Sequence, residues 1–294
     1  MNFMTGAELL KLCEENKKTI SEIMQERETA VSGMAASEAH DLMLHSFSVM
    51  RDAAREAVIH ERRSMGGLIG GEARKMDAYL REARPLCGSL LSKAGMYALG
   101  VLEVNASMGL IVAAPTAGAS GVIPGVLLAM QEEEGYSDEK MVKALFNASA
   151  VGYLLMQNAT VAGAEGGCQA EVGSASAMAA SAAVELRGGS PQQCLDAAGT
   201  ALSNVMGLVC DPVGGLVEVP CQKRNAMGAA NALMCADITL AGIGSLIPFD
   251  EVVSAMYQVG RSLPFELRET ALGGHAATPT ARRLCADCGK CPTV

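Results

Sequence analysis

Apolar residues recur at intervals of three and four along most of the chain, whereas alternation of apolar and polar residues over five or more positions is hard to find. The first spacing is that of one face of an α-helix, and the second is that of a half-buried strand. The pattern therefore predicts an all-α protein. The predicted helices lie near residues 6–28, 36–62, 88–109, 121–133, 138–157, 168–187, 191–206, 223–242 and 250–262.

The character of these helices changes along the chain. Residues 1–62 are charged and amphipathic, which is typical of an outer layer with a solvated face. The later helices are rich in Ala, Gly, Met and Ser, as buried helices are. We therefore predict one helical domain over residues 1–283, with outer helices in 1–62 and a core in 63–283, followed by a cysteine-containing tail at 284–294.

Composition sharpens this picture. Half of the 294 residues are apolar but only 3% are aromatic, with 32 Gly and 18 Met, so the core is built from small and flexible side chains that let helices approach closely. The net charge of −9 argues against nucleic acid as a partner, because nucleic-acid binding depends on clustered Lys and Arg. Small molecules or proteins are the expected partners.

The beginning of the chain predicts a cytoplasmic protein. An amphipathic helix starts after Thr5, with Glu8 predicted to complete a capping box, and no basic segment precedes an apolar one as in a leader peptide. Residues 104–130 carry no formal charge, but Pro115 and Pro124 interrupt them before a long apolar span accumulates. We expect no membrane span.

Five connections between the predicted helices are rich in glycine. Glycine permits positive φ and a close approach of backbone to a ligand, so five such loops in one helical protein suggest a single enclosed site. The alternative is that each glycine only ends a helix. The loops are SMGGLIGG (64–71), APTAGASG (114–121), AGAEGG (162–167), GLVCDPVGGLVEVPC (207–221) and ALGGHAATPT (271–280).

Ten cysteines in a chain of this kind point to reduced thiols used for metal binding or catalysis rather than to disulfides. Cys168 lies at a predicted helix start, while Cys210 and Cys221 bracket a loop rich in Pro and Gly. Thiols on irregular backbone near helix ends can converge. The spacing alone leaves three alternatives open, namely an iron–sulfur cluster, a zinc ion and buried structural thiols.

Three long segments resemble the α chain of the iron–sulfur-dependent L-serine dehydratases of the two-chain bacterial type. They are VNASMGLIVAAPTAGASGVIPG (104–125), AEGGCQAEVGSASAMAA (164–180) and LVCDPVGGLVEVPCQKRNAMGAANAL (208–233). The resemblance implies an all-α catalytic domain with a [4Fe-4S] cluster on three cysteines. By motif these map onto Cys168, Cys210 and Cys221, and one iron is left open for substrate.

The implied reaction converts L-serine to pyruvate and ammonia, with the open iron acting as a Lewis acid on the leaving hydroxyl. Loss of water gives aminoacrylate, which tautomerises and hydrolyses. Pyridoxal phosphate is not expected, because the glycine-rich loops contain no lysine for a Schiff base. Two alternatives remain, an L-cysteine desulfidase of similar cluster chemistry and a non-catalytic iron–sulfur sensor. L-Threonine is a further candidate substrate.

Two loops are predicted to bind the substrate. The first precedes a helix that begins near Gly121, where free N–H groups and hydroxyls suit a carboxylate, although an ordinary Ser/Thr helix cap is the alternative. The second is the 64–71 loop. The predicted substrate-binding residues are Thr116, Ala117, Gly118, Ser120 and Gly121 in the first loop, and Ser64, Gly66 and Gly67 in the second.

The sequence does not identify the catalytic base. His275 is a weak candidate within ALGGHAATPT, at a position where the family pattern leads us to expect an apolar residue, and the other three histidines lie on the charged N-terminal helices. The family carries a Ser-Ser-His-Thr motif in its β chain, and that string does not occur here. The resemblance therefore implies a β-chain partner, in a heterodimer or a larger assembly, that supplies the base.

The tail carries Cys285, Cys288 and Cys291 in a C-x2-C-x2-C pattern. Three interpretations compete. Cys288 or Cys291 occupies the open iron until substrate displaces it, as a C-terminal cysteine does in single-chain relatives; the tail binds zinc or a second cluster; or the tail is disordered.

Overall fold

The structure is a computed structural model that describes residues 2–288, except for the side chains of residues 287 and 288. The all-α prediction is confirmed, since no strand forms in this part of the chain and Cys210 and Arg268 make only an isolated parallel bridge. The helices are α1 (Gly6–Asn16), α2 (Ile20–Ser32), α3 (Ala36–Ile59), α4 (Glu72–Glu82), α5 (Gly88–Ala106), α6 (Val122–Glu134), α7 (Asp138–Asn158), α8 (Gly163–Gly166), α9 (Ser174–Leu186), α10 (Pro191–Asn204), α11 (Cys221–Leu240), α12 (Phe249–Ser262) and α13 (Pro279–Cys288).

The first predicted helix is in fact two helices. Lys17 adopts a left-handed conformation, with φ of 54°, which ends α1. The capping box predicted at the start of α1 belongs instead to α2, where Thr19 and Glu22 satisfy each other's backbone amides. At α1, Thr5 accepts from the Glu8 amide, but the Glu8 carboxylate binds the amide of the residue before Thr5.

The hydrophobic pattern did not predict α4, because this helix is mostly charged and buries only Ala73. Its beginning is stabilised from outside. The carboxylate of Glu103, fully buried on α5, accepts hydrogen bonds from the amides of Gly71 at 2.9 Å and Ala73 at 2.8 Å. A negative group at a helix N-terminus pairs with amides that have no partner inside the helix. A contact distant in sequence therefore defines this helix. The short helix α13 was also not predicted.

The centre of the molecule is formed by helices of small residues. Helix α9 is buried along its whole length from Ser174 to Val184 and packs against α7, α10 and α11. Two of its serine hydroxyls bond to neighbouring helices, since Ser176 donates to the Gly228 carbonyl at 2.9 Å and Ser181 to the Asn147 side chain at 2.6 Å. Small side chains let these helices approach closely, and the hydroxyls of Ser176 and Ser181 each keep a hydrogen-bond partner.

The N-terminal helices share this core. Phe3, Leu9, Ile20 and Phe47 are at most 1% exposed and belong to the same hydrophobic cluster as the central helices. The division of residues 1–283 into outer and core layers stays a prediction. A separate observation concerns membranes: none of the described helices is both long and apolar enough to cross a bilayer.

The packing of α5 against α6 gives a test of this close approach. A Cβ added to Gly125 would lie 2.6 Å from the carbonyl oxygen of Ala94, whereas one added to Gly95 would have only a methyl group at 3.8 Å. We expect Gly125→Ala to lower the free energy of unfolding by about 1–3 kcal/mol through overpacking. Gly95→Ala, the matched control, should be neutral or stabilising by up to about 1 kcal/mol. Urea unfolding of the two variants measures both, and equal effects would contradict the close helix contact.

Candidate active site

The three cysteines of the predicted cluster site lie where helices begin or irregular segments cross. Cys168 immediately precedes a π-helical turn, Gln169–Gly173, that leads into α9. Cys210 forms the isolated bridge to Arg268, and Cys221 is the first residue of α11. All three are buried, with 3%, 3% and 9% of their surface exposed. A π-turn often marks a functional site, and here it directly follows the first of the three thiols.

Backbone hydrogen bonds bring the cysteine segments together. The amide of Gln169 donates to the carbonyl of Leu208 at 3.0 Å. Two residues on, the amide of Cys210 donates to the carbonyl of Leu267 at 2.9 Å, and the Cys210 carbonyl accepts from the amide of Glu269 at 2.7 Å. The segments that carry the first two thiols are therefore joined directly, and the 267–269 segment holds the second one in place.

The loop between the second and third cysteines folds back on itself. The amide of Val213 donates to the carbonyl of Val219 at 2.8 Å, which closes the loop. Gly214 and Gly215 between them have φ of 64° and 70°, a region that residues with a Cβ rarely occupy. These glycines allow the reversal that returns the chain to the site at Cys221.

The three thiols lie in one another's electrostatic fields. Burial raises the pKa of Cys168 to about 11 and that of Cys221 to about 12, and it raises the pKa of Cys210 further. After burial and Glu171, the charge of Cys168 raises the pKa of Cys210, and Cys168 also acts on Cys221. Each of these shifts favours the neutral thiol while no metal is bound.

These donors fit an iron–sulfur cluster. Gly163 approaches Cys210 so closely that an added Cβ would lie 3.1 Å from its sulfur. Among the described side chains, no group of three or more His, Cys, Asp or Glu is placed around a single metal ion. A four-iron cube offers a separate iron to each thiol, so its ligands stand further apart than those of one ion.

Glu171 is a residue of this site that our sequence reasoning missed. Its carboxylate accepts a hydrogen bond from the Thr116 hydroxyl at 2.8 Å and from the Cys210 thiol at 3.8 Å. Burial raises the pKa of Glu171, and the charge of Glu269 adds to that effect. A signal was present in the sequence, because Glu171 is the only charged residue between Gly166 and Val184. Acids are rarely buried without a role.

The 114–121 loop reaches the cysteines through this acid. Thr116 binds Glu171, and an added Cβ on Gly118 would lie 3.1 Å from the same carboxylate. The Ser120 hydroxyl donates back to the Ala117 carbonyl at 2.7 Å, as a local cap does. Within the described chain, the amides of Ala117 and Gly118 donate to no protein acceptor.

The end of this loop is held by Asn225 of α11. The Gly121 amide donates to the Asn225 side-chain oxygen at 2.9 Å, and the Asn225 side-chain nitrogen donates to the Gly118 carbonyl at 2.8 Å. Because Asn225 is four residues after Cys221, the predicted substrate loop and the third thiol are fixed to the same turn of helix. Binding of substrate by Thr116, Ala117, Gly118, Ser120 and Gly121 stays a prediction.

The 64–71 loop is fastened to the same region by Glu218, which is 2% exposed. The Glu218 carboxylate accepts from the Ser64 hydroxyl at 2.6 Å and from the amides of Gly66 at 2.7 Å and Leu68 at 3.0 Å. The donors of Ser64 and Gly66 are thus already engaged. Their role as substrate ligands, with Gly67, stays a prediction, and what the structure shows is a loop held against the 210–221 segment.

His275 lies beside the cysteine segment. Its ring Nδ1 and its backbone amide each lie 2.7 Å from Oδ2 of Asp211, the residue after Cys210. The His275 side chain is 58% exposed, whereas that of Asp211 is 2% exposed. Although burial opposes it, hydrogen bonds from His275 and the charge of Arg224 lower the pKa of Asp211. The role of His275 as the catalytic base stays a prediction.

The predicted tail ligands lie at the end of the chain, beyond most of the described residues. Cys285 is half-buried on α13. The side chain of Cys288 and the whole of Cys291 lie outside the described residues. The three interpretations of the tail therefore stay open.

Comparison with known proteins places the chain in a family. The family model described as serine dehydratase alpha chain matches residues 15–276, and the chain belongs to this family. It is 49% identical to the probable L-serine dehydratase, alpha chain, of Bacillus subtilis over 96% of this chain and 94% of that one. It is 42% identical to the L-serine dehydratase, alpha chain, of Peptoniphilus asaccharolyticus over 96% of this chain and 97% of that one.

A third relative is longer. The L-serine dehydratase of Streptomyces coelicolor is 39% identical over 93% of this chain, but the match covers only 60% of that protein. The family and these relatives make this chain part of a lyase.

The hydrogen bonds from the 64–71 loop to Glu218 predict that two substitutions of Glu218 lower stability by different amounts. Glu218→Ala leaves three donors without an acceptor and should lower the free energy of unfolding by about 3 kcal/mol or more. Glu218→Gln keeps the shape and one acceptor, so about 1–2 kcal/mol is expected. Urea unfolding, with limited proteolysis of residues 64–71, measures both effects. Glu266→Ala, at an exposed position, is the control and should change neither the stability nor the proteolysis of the loop. A Glu218→Ala variant as stable as this control would contradict the conclusion that Glu218 holds the loop.

Proposed function

We propose that this chain is the α subunit of an L-serine dehydratase, which converts L-serine to pyruvate and ammonia with a [4Fe-4S] cluster on Cys168, Cys210 and Cys221. Membership of the serine dehydratase alpha chain family and the names of its relatives support the reaction. The observation that supports the cluster assignment is that hydrogen bonds join the segments of three buried cysteines, which are 42 and 11 positions apart in the sequence.

When bound, the cluster supplies a Lewis acid at its open iron for the hydroxyl that leaves. Residues of this chain would hold the cluster in place. Cys168 and Cys221 lie at helix starts, where the helix dipole favours negative sulfur. The burial of all three thiols keeps water away from the donors, and a dry surrounding strengthens every charge interaction within it.

The 114–121 loop is our candidate for the substrate carboxylate. The open amides of Ala117 and Gly118 are donors of the kind that bind a carboxylate, and Thr116 beside them is oriented by its hydrogen bond to Glu171. Because Glu171 also contacts Cys210, the proposed carboxylate site would lie next to the proposed cluster. The amino acid would thereby be held with its hydroxyl toward the thiols.

A β-chain partner completes the proposed enzyme. The Streptomyces coelicolor relative contains a further 40% of sequence that this chain does not match, and we propose that a separate chain supplies the corresponding part here. That partner is also our proposed source of the base, since His275 is tied to Asp211 in this chain. The absence of pyridoxal phosphate and a cytoplasmic location remain predictions.

The experiment is anaerobic purification of the chain together with its β chain, followed by assay of pyruvate from L-serine. We expect pyruvate formation and the broad visible absorbance of an iron–sulfur cluster. Cys168→Ala, Cys210→Ala and Cys221→Ala should each abolish both, because each removes one cluster ligand. Cys235→Ala is the matched control, since Cys235 is fully buried on the same helix as Cys221.

Other outcomes of this experiment separate the alternatives. A cluster-bearing complex that releases sulfide from L-cysteine and forms no pyruvate from L-serine would identify a desulfidase. The same complex without either activity would identify a sensor. Absorbance that survives in all three cysteine variants would contradict the ligand assignment.

The carboxylate loop gives a separate prediction. Thr116→Val removes the hydroxyl that binds Glu171, so the loop loses its orientation and the KM for L-serine should rise about tenfold. The iron content should stay unchanged, because the three thiols are intact. Thr200→Val is the control, since the Thr200 hydroxyl only bonds back to Asp196 within α10. Unchanged kinetics in Thr116→Val would remove this loop from the substrate site.

A further inference from the structure

One arginine contacts the segments on both sides of Cys210. Arg224 lies on α11, three residues after Cys221, and its side chain is 13% exposed. Its Nη1 donates to the carbonyl of Val209 at 2.8 Å. The same atom lies 2.9 Å from Oδ1 of Asp211, as an ion pair rather than an aligned hydrogen bond. Val209 and Asp211 are the two neighbours of Cys210, so the second cysteine is held to the helix of the third.

The first cysteine is joined to the same stretch through the backbone. The amide of Gln169, the residue after Cys168, donates to the carbonyl of Leu208, the residue before Val209. An arginine carries five N–H donors in a rigid fork, so one side chain can bind a carbonyl and a carboxylate together. A lysine in its place would offer a single flexible ammonium group.

Arg224 is itself fixed by its acid partner. Asp211 is fully enclosed, and its second oxygen, Oδ2, accepts from the backbone amide and lies beside the ring of His275. An added Cβ on Gly274 would lie 2.2 Å from that oxygen, which shows how tightly the 274–277 turn closes over Asp211. The carboxylate therefore holds Arg224 in one orientation.

We propose that Arg224 is the positioning residue of the site, which holds the segments of Cys168, Cys210 and Cys221 in the arrangement that receives the cluster. The proposal rests on the proposed function only in that these three thiols are taken as its ligands. Arg224 also supplies the positive charge that pairs with the buried carboxylate of Asp211. It acts through the cysteines and has no assigned contact with substrate.

The test uses the full chain, metal-free and without oxygen, and follows the rate at which iodoacetamide alkylates each cysteine at one fixed pH, read by mass spectrometry. In Arg224→Gln we expect alkylation of Cys168, Cys210 and Cys221 to rise about tenfold, because the lost contacts let the segments separate and each thiol then reacts from an open state, where its pKa no longer depends on Arg224. Cys194 and Cys235, buried elsewhere, should keep their rates. Lys223→Gln, the exposed neighbour, is the charge-matched control and should leave all rates unchanged.

A second readout is iron bound after anaerobic reconstitution. Arg224→Gln should hold several-fold less iron per chain, and Arg224→Lys should restore part of it, since lysine returns the charge but not the fork. If Arg224→Gln does not fold, the contrast between Arg224→Lys and wild type decides the question by the same two measurements.

Two results would overturn the proposal. One is that the Arg224 variants match wild type both in the alkylation rates of the three cysteines and in the amount of iron bound. The other is an equal rise at Cys194 and Cys235, which would show a general loss of stability. If the wild-type chain itself binds no iron, the cluster assignment fails, but the alkylation contrast still decides the role of Arg224.

Discussion

The site depends on a stretch of three residues, 208–210, that bonds to two distant parts of the chain. The carbonyl of Leu208 accepts the amide that follows Cys168, and both backbone groups of Cys210 pair with residues 267 and 269. Buried backbone groups need partners, so these bonds are obligatory once the helices pack around them. Through these hydrogen bonds, the packing of α9, α11 and the C-terminal turns determines how the segments that carry the thiols are arranged.

This arrangement carries an electrostatic cost that the fold offsets only in part. Burial and the acids Glu171 and Glu269 disfavour thiolates, and the charge of Arg224 acts in the opposite direction on Cys168 and Cys221. A bound cluster adds the positive charge of its irons, and thiols must lose their protons to bind it.

Much of the fold could be predicted from the sequence, and the exceptions share a physical cause. The three- and four-residue period predicts the long buried helices, since the apolar positions of each helix mark the face that it buries. It could not show the start of α4, which depends on Glu103 thirty residues away, or the break at Lys17, which depends on backbone conformation. At the site, motifs indicated the three cysteines. The contacts of Glu171 with Thr116 and of Arg224 with Val209 are tertiary, so no local pattern revealed them.

The most direct test of the account is anomalous diffraction at the iron absorption edge from crystals of the complex grown without oxygen. The account predicts one compact iron peak bonded to the sulfurs of Cys168, Cys210 and Cys221, with one side open toward the 114–121 loop. Iron located elsewhere, a peak at the zinc edge in its place, or sulfurs too far apart to share one cube would contradict it.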